Sequence, residues 1–489
     1  MVNVGDWRSD LESLLGRDES GPTEKDIELF ASRLGRGHKG LGLAGPELID
    51  RIAVLEWLKA AAAAEQARAE VAFAALCHQG AEDPRVAAVE GKTGRPEATV
   101  RERSAASQIA LARSVSPSRG SRLLTAARRL VGELPHTLTA LGAGRLTEDR
   151  AVWIAEGVEV LPAANRAVVD EKLCEDPRRL EGLGDRAVQD AVRACVDAID
   201  DGAAVARVRH AESRRRVTVR RLPDSMAQLT AILPVAQAAA VEGALRQSAS
   251  AARASGDDRT SGQIAADTLV ERVTGQAHAD AVPLRVGLVM TDASLFGGGR
   301  EPATLQGYGT IAAPQARGMI AAAARGRPDP SAGEDGARAG TPASVPGAAA
   351  LAGVWLRRLF LDPSTGELVA MDSKQRRFPR SLADFIEIRD QRCRTPFCDA
   401  PIRHIDHVVP AAGGGATSAE NGQGLCEHCN HVKESVGWER EVVDAGEAED
   451  IDPRGDIATI TPTGHEYYSP PAKLPGAESA RARQTPRAG

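Results

Sequence analysis

The sequence predicts a multidomain chain: a mainly α N-terminal domain with a small α/β part, then a small C-terminal module built on metal-ligand spacing. Three observations carry this. The 489 residues exceed the size at which a single hydrophobic core stops growing. From Pro46 to Asp200 apolar residues recur at helical intervals, punctuated by proline and glycine. Four of the seven cysteines and four of the ten histidines crowd into Cys393–Lys433.

Composition bounds the answer. An apolar fraction of 42% supports a sizeable core, and with aromatics at 3% that core must be built from Ala, Leu, Val and Ile. The formal charge of -6 excludes a chain that is a nucleic-acid surface throughout, so any such site is local. Met1–Asp10 lacks a basic stretch followed by an apolar run, so no secretory leader is expected. No run of about eighteen apolar residues predicts a membrane span. Cys77, Cys174 and Cys195 sit singly in helical patterns and read as buried free thiols. An odd cysteine count without a leader points to a reducing, cytoplasmic setting.

In chain order, residues 1–44 read as a mobile lead-in with one short helix near Glu24–Leu34. Residues 45–325 read as the mainly helical domain. Pro46 suits the first turn of a long helix carrying Leu48, Ile52 and Leu55 and running to Leu76. A second helix covers Ala105–Arg113 and is broken by Ser-Pro-Ser-Arg-Gly at 116–120. Successive helices follow to Asp200, with Pro135, Pro162 and Pro177 at breaks and Thr147 as an N-cap ahead of Glu148 and Asp149. The fragment 140–157 has the outline of a helix-turn-helix, but two carboxylates at the start of its second helix repel phosphate, so it reads as a plain helical hairpin.

Arg207, Arg209, His210, Arg214, Arg215, Arg216, Arg220 and Arg221 form a basic run. Its alternation predicts a strand with Val217 and Val219 inward and arginines outward. It reads as a solvated edge that discourages sheet pairing in preference to a DNA contact, because no aromatic, Asn or Gln is interleaved. Helices over 234–249 and 262–274 flank the loop SGDDRT, and Leu284–Thr291 is the best candidate for a buried strand. Residues 297–299 (GGG) form a loop without the Lys-Ser/Thr that a phosphate cradle needs. Residues 326–349, rich in Pro, Gly, Ala and Ser, read as a flexible linker. Residues 350–475 form the C-terminal module, with strands at Trp355–Asp362 and Glu367–Met371, a helix over 381–390 and a hairpin at ATITPTGHEYYSP whose Tyr467 and Tyr468 pack back on it. Residues 476–489 read as a disordered tail.

The chemistry lies in Cys393–Lys433. Cys393-x4-Cys398 and Cys426-x2-Cys429 are two knuckles about thirty residues apart. Four soft ligands on two short loops suit tetrahedral zinc, and in a reducing compartment disulfides are disfavoured. Such a site also compensates for a module too small to bury a full core. HIDHVVP (404–410) predicts a short strand, the glycine-rich stretch 413–421 returns the chain, and a helix begins at Cys426 or Glu427. Phosphodiester hydrolysis needs an activated water and a cation against the charge on the phosphate. His407 suits the base. Asp406 and Asn430 offer hard oxygen ligands of the kind magnesium or manganese accepts. Asn421 suits a hydrogen bond that holds the loop or the imidazole. Neighbours on a strand point to opposite faces, so Asp406 and His407 serve one site only if the strand twists or ends there.

These residues resemble the HNH endonuclease family. Its ββα-metal fold carries a DH pair, matched by Asp406-His407, a central Asn, matched by Asn421, and a final His or Asn on the helix, matched by Asn430. The resemblance implies that His407 activates water, that Asp406 and Asn430 ligate a catalytic Mg2+ or Mn2+, and that Asn421 supports the loop. Cys393, Cys398, Cys426 and Cys429 are similar to the zinc-stapled branch. Residues 134–162, the GDDRT loop, GYGTI (307–311) and TPTGHEYYSPP (461–471) resemble the 13E12 repeat subgroup, in which a long helical domain of unknown function precedes the HNH module.

The function expected is therefore a metal-dependent endonuclease hydrolysing DNA, with structural zinc. Arg376, Arg377, Arg380, Arg392, Arg394, Arg403 and Lys433 are candidate nucleic-acid contacts around the module. Scarce aromatics near 393–433 disfavour base stacking on single strands and favour double-stranded DNA. The rival is a zinc-dependent DNA-binding or interaction module without cleavage, which needs none of Asp406, His407, Asn421 and Asn430. His404 reads as a partly exposed structural histidine, and His428, inside the second knuckle, as exposed.

Overall fold

The structure is a computed structural model that describes residues 23–35, 45–79, 96–222, 226–275, 288–305, 309–325, 378–443 and 456–470. The linker at 326–349, the strands expected at Trp355–Asp362 and Glu367–Met371, Arg376, Arg377 and the tail at 476–489 lie outside these residues, as do 1–22.

The first half is helical. α1 (Glu24–Gly35) and the long α2 (Gly45–Gln79) are followed by α3 (Glu97–Ala112), α4 (Pro117–Glu133), α5 (Pro135–Gly142), α6 (Glu148–Gly157), α7 (Ala163–Cys174), α8 (Asp185–Ile199) and α9 (Asp201–Ser213). The segment at 116–120 starts a helix where a break was expected: Pro117 takes the first turn and Ser116 Oγ accepts the Arg119 N–H at 3.4 Å. Thr147 caps α6 in the same way, accepting the Arg150 N–H.

One core joins α2 and α4–α8 through Leu134, Leu141, Ile154, Val158, Leu161 and Val188. α2 contributes only alanines (Ala60, Ala63, Ala64), so small side chains and close helix approach replace the missing aromatics. α3 and α4 approach so closely that a Cβ on Gly120 would lie 2.5 Å from that of Ala110. Asp170 of α7 is fully buried because it serves the start of α5, accepting the His136 and Thr137 N–H groups at 2.7 and 2.9 Å. The 140–157 fragment is the α5–α6 hairpin, with Ala151, Val152, Ile154 and Ala155 buried. Its Glu148 is bound by Arg113, which also holds the buried Glu70 at 2.8 Å. Burial pushes the Glu70 carboxyl up despite that partner.

Next come a hairpin, β1 (Arg216–Arg221) and β2 (Ala227–Ile232), and the helical pair α10 (Val235–Ala254) and α11 (Ser261–Thr274). A reciprocal Thr260–Gln263 capping box starts α11. Val217 and Val219, expected inward, are 62% and 59% exposed: β1 pairs only with β2, and among the described residues nothing covers that face. β3 (Leu288–Val289), α12 (Asp292–Phe296), β4 (Ala303–Leu305), β5 (Gly309–Ile311) and α13 (Ala313–Arg325) complete this part, the strands in order 3-4-5. Of the strand expected over Leu284–Thr291, residues 284–287 lie outside the described residues; β3 covers Leu288–Val289, and Thr291 caps α12, accepting the Ser294 N–H at 3.2 Å.

The C-terminal module contains α14 (Arg380–Asp390), the antiparallel pair β6 (His404–His407) and β7 (Gly422–Leu425), α15 (Glu427–Lys433), and a sheet of β8 (Glu439–Val443), β9 (Asp456–Ile460) and β10 (Glu466–Ser469). It docks on α3. Trp438 Nε1 donates to Ser104 Oγ at 2.8 Å, and Thr463 Oγ1 donates to Gln108 Oε1 at 3.0 Å. His428, expected to be exposed, lies 3.0 Å from Ser107 Oγ. Leu111, Val432 and Trp438 fill the contact, with Tyr467 against them, whereas Tyr468 is largely exposed. No helix among the described residues is long and apolar enough to cross a membrane.

Candidate active site

The four cysteines converge. Their Sγ atoms all lie within 4.8 Å of one another, and all four residues are buried. Cys398 and Cys426 are 3.8 Å apart, the edge expected of a tetrahedron with Zn–S bonds of about 2.3 Å. The second knuckle is pre-shaped by its backbone, since Cys426 caps α15 and its Sγ accepts the Cys429 N–H at 3.4 Å. Hydrogen bonding with Cys393, reinforced by burial, pushes the Cys398 and Cys429 thiols well above their ordinary range. Four thiolates at this spacing need a cation, and the donor set fits zinc. The buried Arg440 donates to Gln423 Oε1 at 2.7 Å and Thr395 Oγ1 at 2.6 Å. Burial pulls its pKa down while the Cys429 and Cys393 sulfurs oppose that shift, which places a counter-charge beside the cluster.

Asp390, at the end of α14, ties the first knuckle to β7. Its buried carboxylate accepts Arg389 Nε at 2.7 Å, Arg394 Nη1 at 3.1 Å and the Gly424 N–H at 2.7 Å. Arg394 also donates to the Ser469 carbonyl at 2.8 Å. Sequence reading placed Arg394 among the nucleic-acid contacts. At 3% exposure it is instead an internal strut, its charge spent on Asp390.

Asp406 and His407 come to one place because β6 ends there. His407 Nδ1 lies 4.0 Å from Asp406 Oδ1 although the two are strand neighbours. His407 is 7% exposed. Its ring packs against Phe378 at a centroid distance of 4.5 Å, and its Nε2 lies 2.9 Å from Thr417 Oγ1. The other oxygen of Asp406 is bound by Lys433 Nζ from α15. Lys433 was expected as a phosphate contact; its ammonium is buried on Asp406 instead.

One turn before Lys433 on the same helix, Asn430 carries a side-chain Oδ1 that is buried and, among the described residues, has no hydrogen-bond partner. An orphaned buried amide oxygen costs about 1–3 kcal/mol, and a divalent cation relieves that penalty. The carboxylate of Asp406 and the amide oxygen of Asn430 are hard oxygen donors of the kind a divalent cation accepts. Asn421 clamps the glycine loop: its Oδ1 accepts the Val409 N–H at 2.8 Å, and its Nδ2 donates to the Val409 and Ala416 carbonyls at 3.0 and 2.8 Å. Gly415 must be glycine, since a Cβ there would lie 1.9 Å from the Val409 carbonyl oxygen.

Among the remaining candidates, Arg380, Arg392 and Arg403 are exposed, with Arg392 paired to Asp399 at 2.9 Å. His404 is exposed, and His431 Nδ1 lies 2.5 Å from the Glu427 carbonyl of its own helix. Thr417, Phe378 and Asp390 were missed by the sequence reading. Only Thr417 had a signal, its place in the glycine loop just after the histidine strand.

A family model described as HNH endonuclease matches residues 391–435, spanning both knuckles, Asp406, His407, Asn421 and Asn430. No curated protein and no solved structure matches the chain. A second family model, Domain of unknown function (DUF222), matches residues 57–342, from within α2 past α13. That is more than half of the chain, which therefore belongs to the DUF222 family and carries an HNH endonuclease domain after the DUF222 domain.

Proposed function

We propose that this chain hydrolyses phosphodiester bonds of double-stranded DNA, with His407 as general base. The observation that carries the reading is the buried Asn430 Oδ1, without a hydrogen-bond partner among the described residues, on the same α15 that delivers Lys433 to Asp406. In the proposed tautomer the His407 Nε2–H donates to Thr417 Oγ1, so the lone pair sits on Nδ1, the nitrogen beside Asp406. Nδ1 takes a proton from water as the water oxygen bonds to phosphorus and the bond from phosphorus to the sugar oxygen breaks. Asp406 and Asn430 would hold a magnesium or manganese ion, which would supply charge stabilisation for the phosphate and the leaving oxygen. Phe378 and Thr417 fix the imidazole plane, and Asn421 fixes the loop that carries Thr417. Zinc on Cys393, Cys398, Cys426 and Cys429 is structural, because all four ligand positions are protein sulfur and none is open.

A metal titration tests this. Zinc-loaded protein is given a supercoiled plasmid with increasing magnesium or manganese. Nicking that rises with the added ion supports a nuclease. Protein that binds the plasmid and holds zinc, but never nicks at any magnesium or manganese concentration, is a binding module instead.

A further inference from the structure

The β1–β2 hairpin segregates its side chains in a way that the β1 sequence alone does not reveal. The register pairs Arg216 with Ile232, Thr218 with Thr230 and Arg220 with Gln228. Directly opposed residues share a face, so one face carries Arg216, Thr218, Arg220, Gln228 and Thr230, with Ile232 at its end beside Arg216. The register positions of the other are Val217, Val219, Leu229 and Ala231, ending in the pair Arg221 and Ala227. The absence of an interleaved Asn or Gln, which argued against nucleic-acid contact, holds for β1 only. β2 places Gln228 directly beside Arg220.

The charges of this ribbon stand apart from those of the helical domain. Several arginines there are matched by carboxylates: Arg122 by Glu156, Arg128 by Glu102, Arg145 by Glu181 and Arg166 by Glu133. Between Arg207 and Arg221 the chain carries seven arginines and one carboxylate, Glu212. Arg214, Arg215, Arg216 and Arg220 are exposed, and among the described residues none pairs with an acidic group. Among the described residues Arg216 donates only to the Arg214 carbonyl, at 3.4 Å. In a chain of net charge -6 this is a local concentration of unmatched positive charge. A two-stranded antiparallel ribbon is also one of the shapes that the major groove of B-DNA admits.

We propose that the β1–β2 ribbon is a duplex-DNA contact surface of the DUF222 domain, with Arg216 and Arg220 on phosphates and Thr218, Gln228 and Thr230 on the same groove-facing side. This rests on the reading of the HNH domain as a DNA nuclease and gives the N-terminal domain a part in holding the substrate that the module cuts.

The test uses the full chain with His407→Ala, zinc-loaded and without added magnesium or manganese, so that the probe is not consumed. Fluorescence anisotropy of a labelled duplex oligonucleotide is followed over a range of salt. Removing two phosphate contacts with R216Q/R220Q lowers affinity about 10- to 60-fold near 0.1 M salt and flattens the log–log salt slope by about 1.8. R216K/R220K restores both. The exposed pair R122Q/R145Q, which removes two carboxylate-matched charges, leaves affinity within about twofold. Equal affinity and slope for R216Q/R220Q and its parent overturn the ribbon while leaving the nuclease reading intact. No duplex binding by the parent even at low salt overturns both. Loss confined to an RNA duplex of the same length assigns the ribbon to RNA and overturns the proposal as stated.

Discussion

Thr417→Val offers the sharpest view of how His407 is held. Valine keeps the shape of threonine and removes only the hydroxyl that meets Nε2 at 2.9 Å. Losing a hydrogen bond at a nitrogen of the buried His407 costs about 1–3 kcal/mol. Expressed in the transition state, where the imidazole becomes a cation and its N–H bond strengthens, this is a rate loss of about 5- to 150-fold. The assay is single-turnover plasmid nicking at saturating magnesium or manganese, with zinc content and thermal unfolding measured on the same samples. The variant should stay folded at the assay temperature with wild-type zinc content. The loss should fall on the rate at saturation while plasmid affinity stays near wild type, and Thr417→Ser should recover most of it. A Thr417→Val rate within about twofold of wild type would refute the claim that this bond orients the base.

Three further outcomes follow from the same site. Cys429→Ser removes one of four sulfur ligands, and zinc measured by mass spectrometry of the purified protein should fall from one ion per chain towards none, with loss of the module's cooperative unfolding transition. Asp390→Ala strands Arg389 and Arg394 in the interior and should lower stability by about 3–5 kcal/mol in urea unfolding, far more than Asp399→Ala, which frees only the exposed Arg392. Gly415→Ala drives a Cβ into the Val409 carbonyl and to 2.7 Å from Asn421 Nδ2, so nicking should be lost while zinc content is retained.

What the sequence disclosed, and what it hid, divides along physical lines. Local chemistry was legible. The cysteine spacing anticipated a convergence now seen within 4.8 Å, and Pro46 and Thr147 were start signals for their helices. Whether Asp406 and His407 meet depended on where β6 ends, which spacing could not tell. The partners of charged groups were not legible either. Arg394 and Lys433 looked like phosphate contacts among their basic neighbours, yet each is turned inward by a carboxylate, Asp390 for one and Asp406 for the other. Periodicity located β1 correctly but assigned its valines to a core, because alternation reveals two faces without saying whether either is covered. The docking of the module on α3 through Ser104, Ser107, Gln108 and Leu111 left no pattern, since a polar helix face reads as solvated until its partner is known.

The central claim is that His407 takes the proton from the attacking water. The most direct measurement compares wild-type protein and His407→Ala, each carrying one zinc per chain, in single-turnover cleavage of supercoiled plasmid with added magnesium or manganese and again after chelation. The wild type should nick the plasmid, chelation should abolish nicking, and His407→Ala should retain plasmid binding while cleaving at least about a hundredfold more slowly, in line with the loss of a general base. Equal cleavage by His407→Ala at matched zinc content would contradict the assignment.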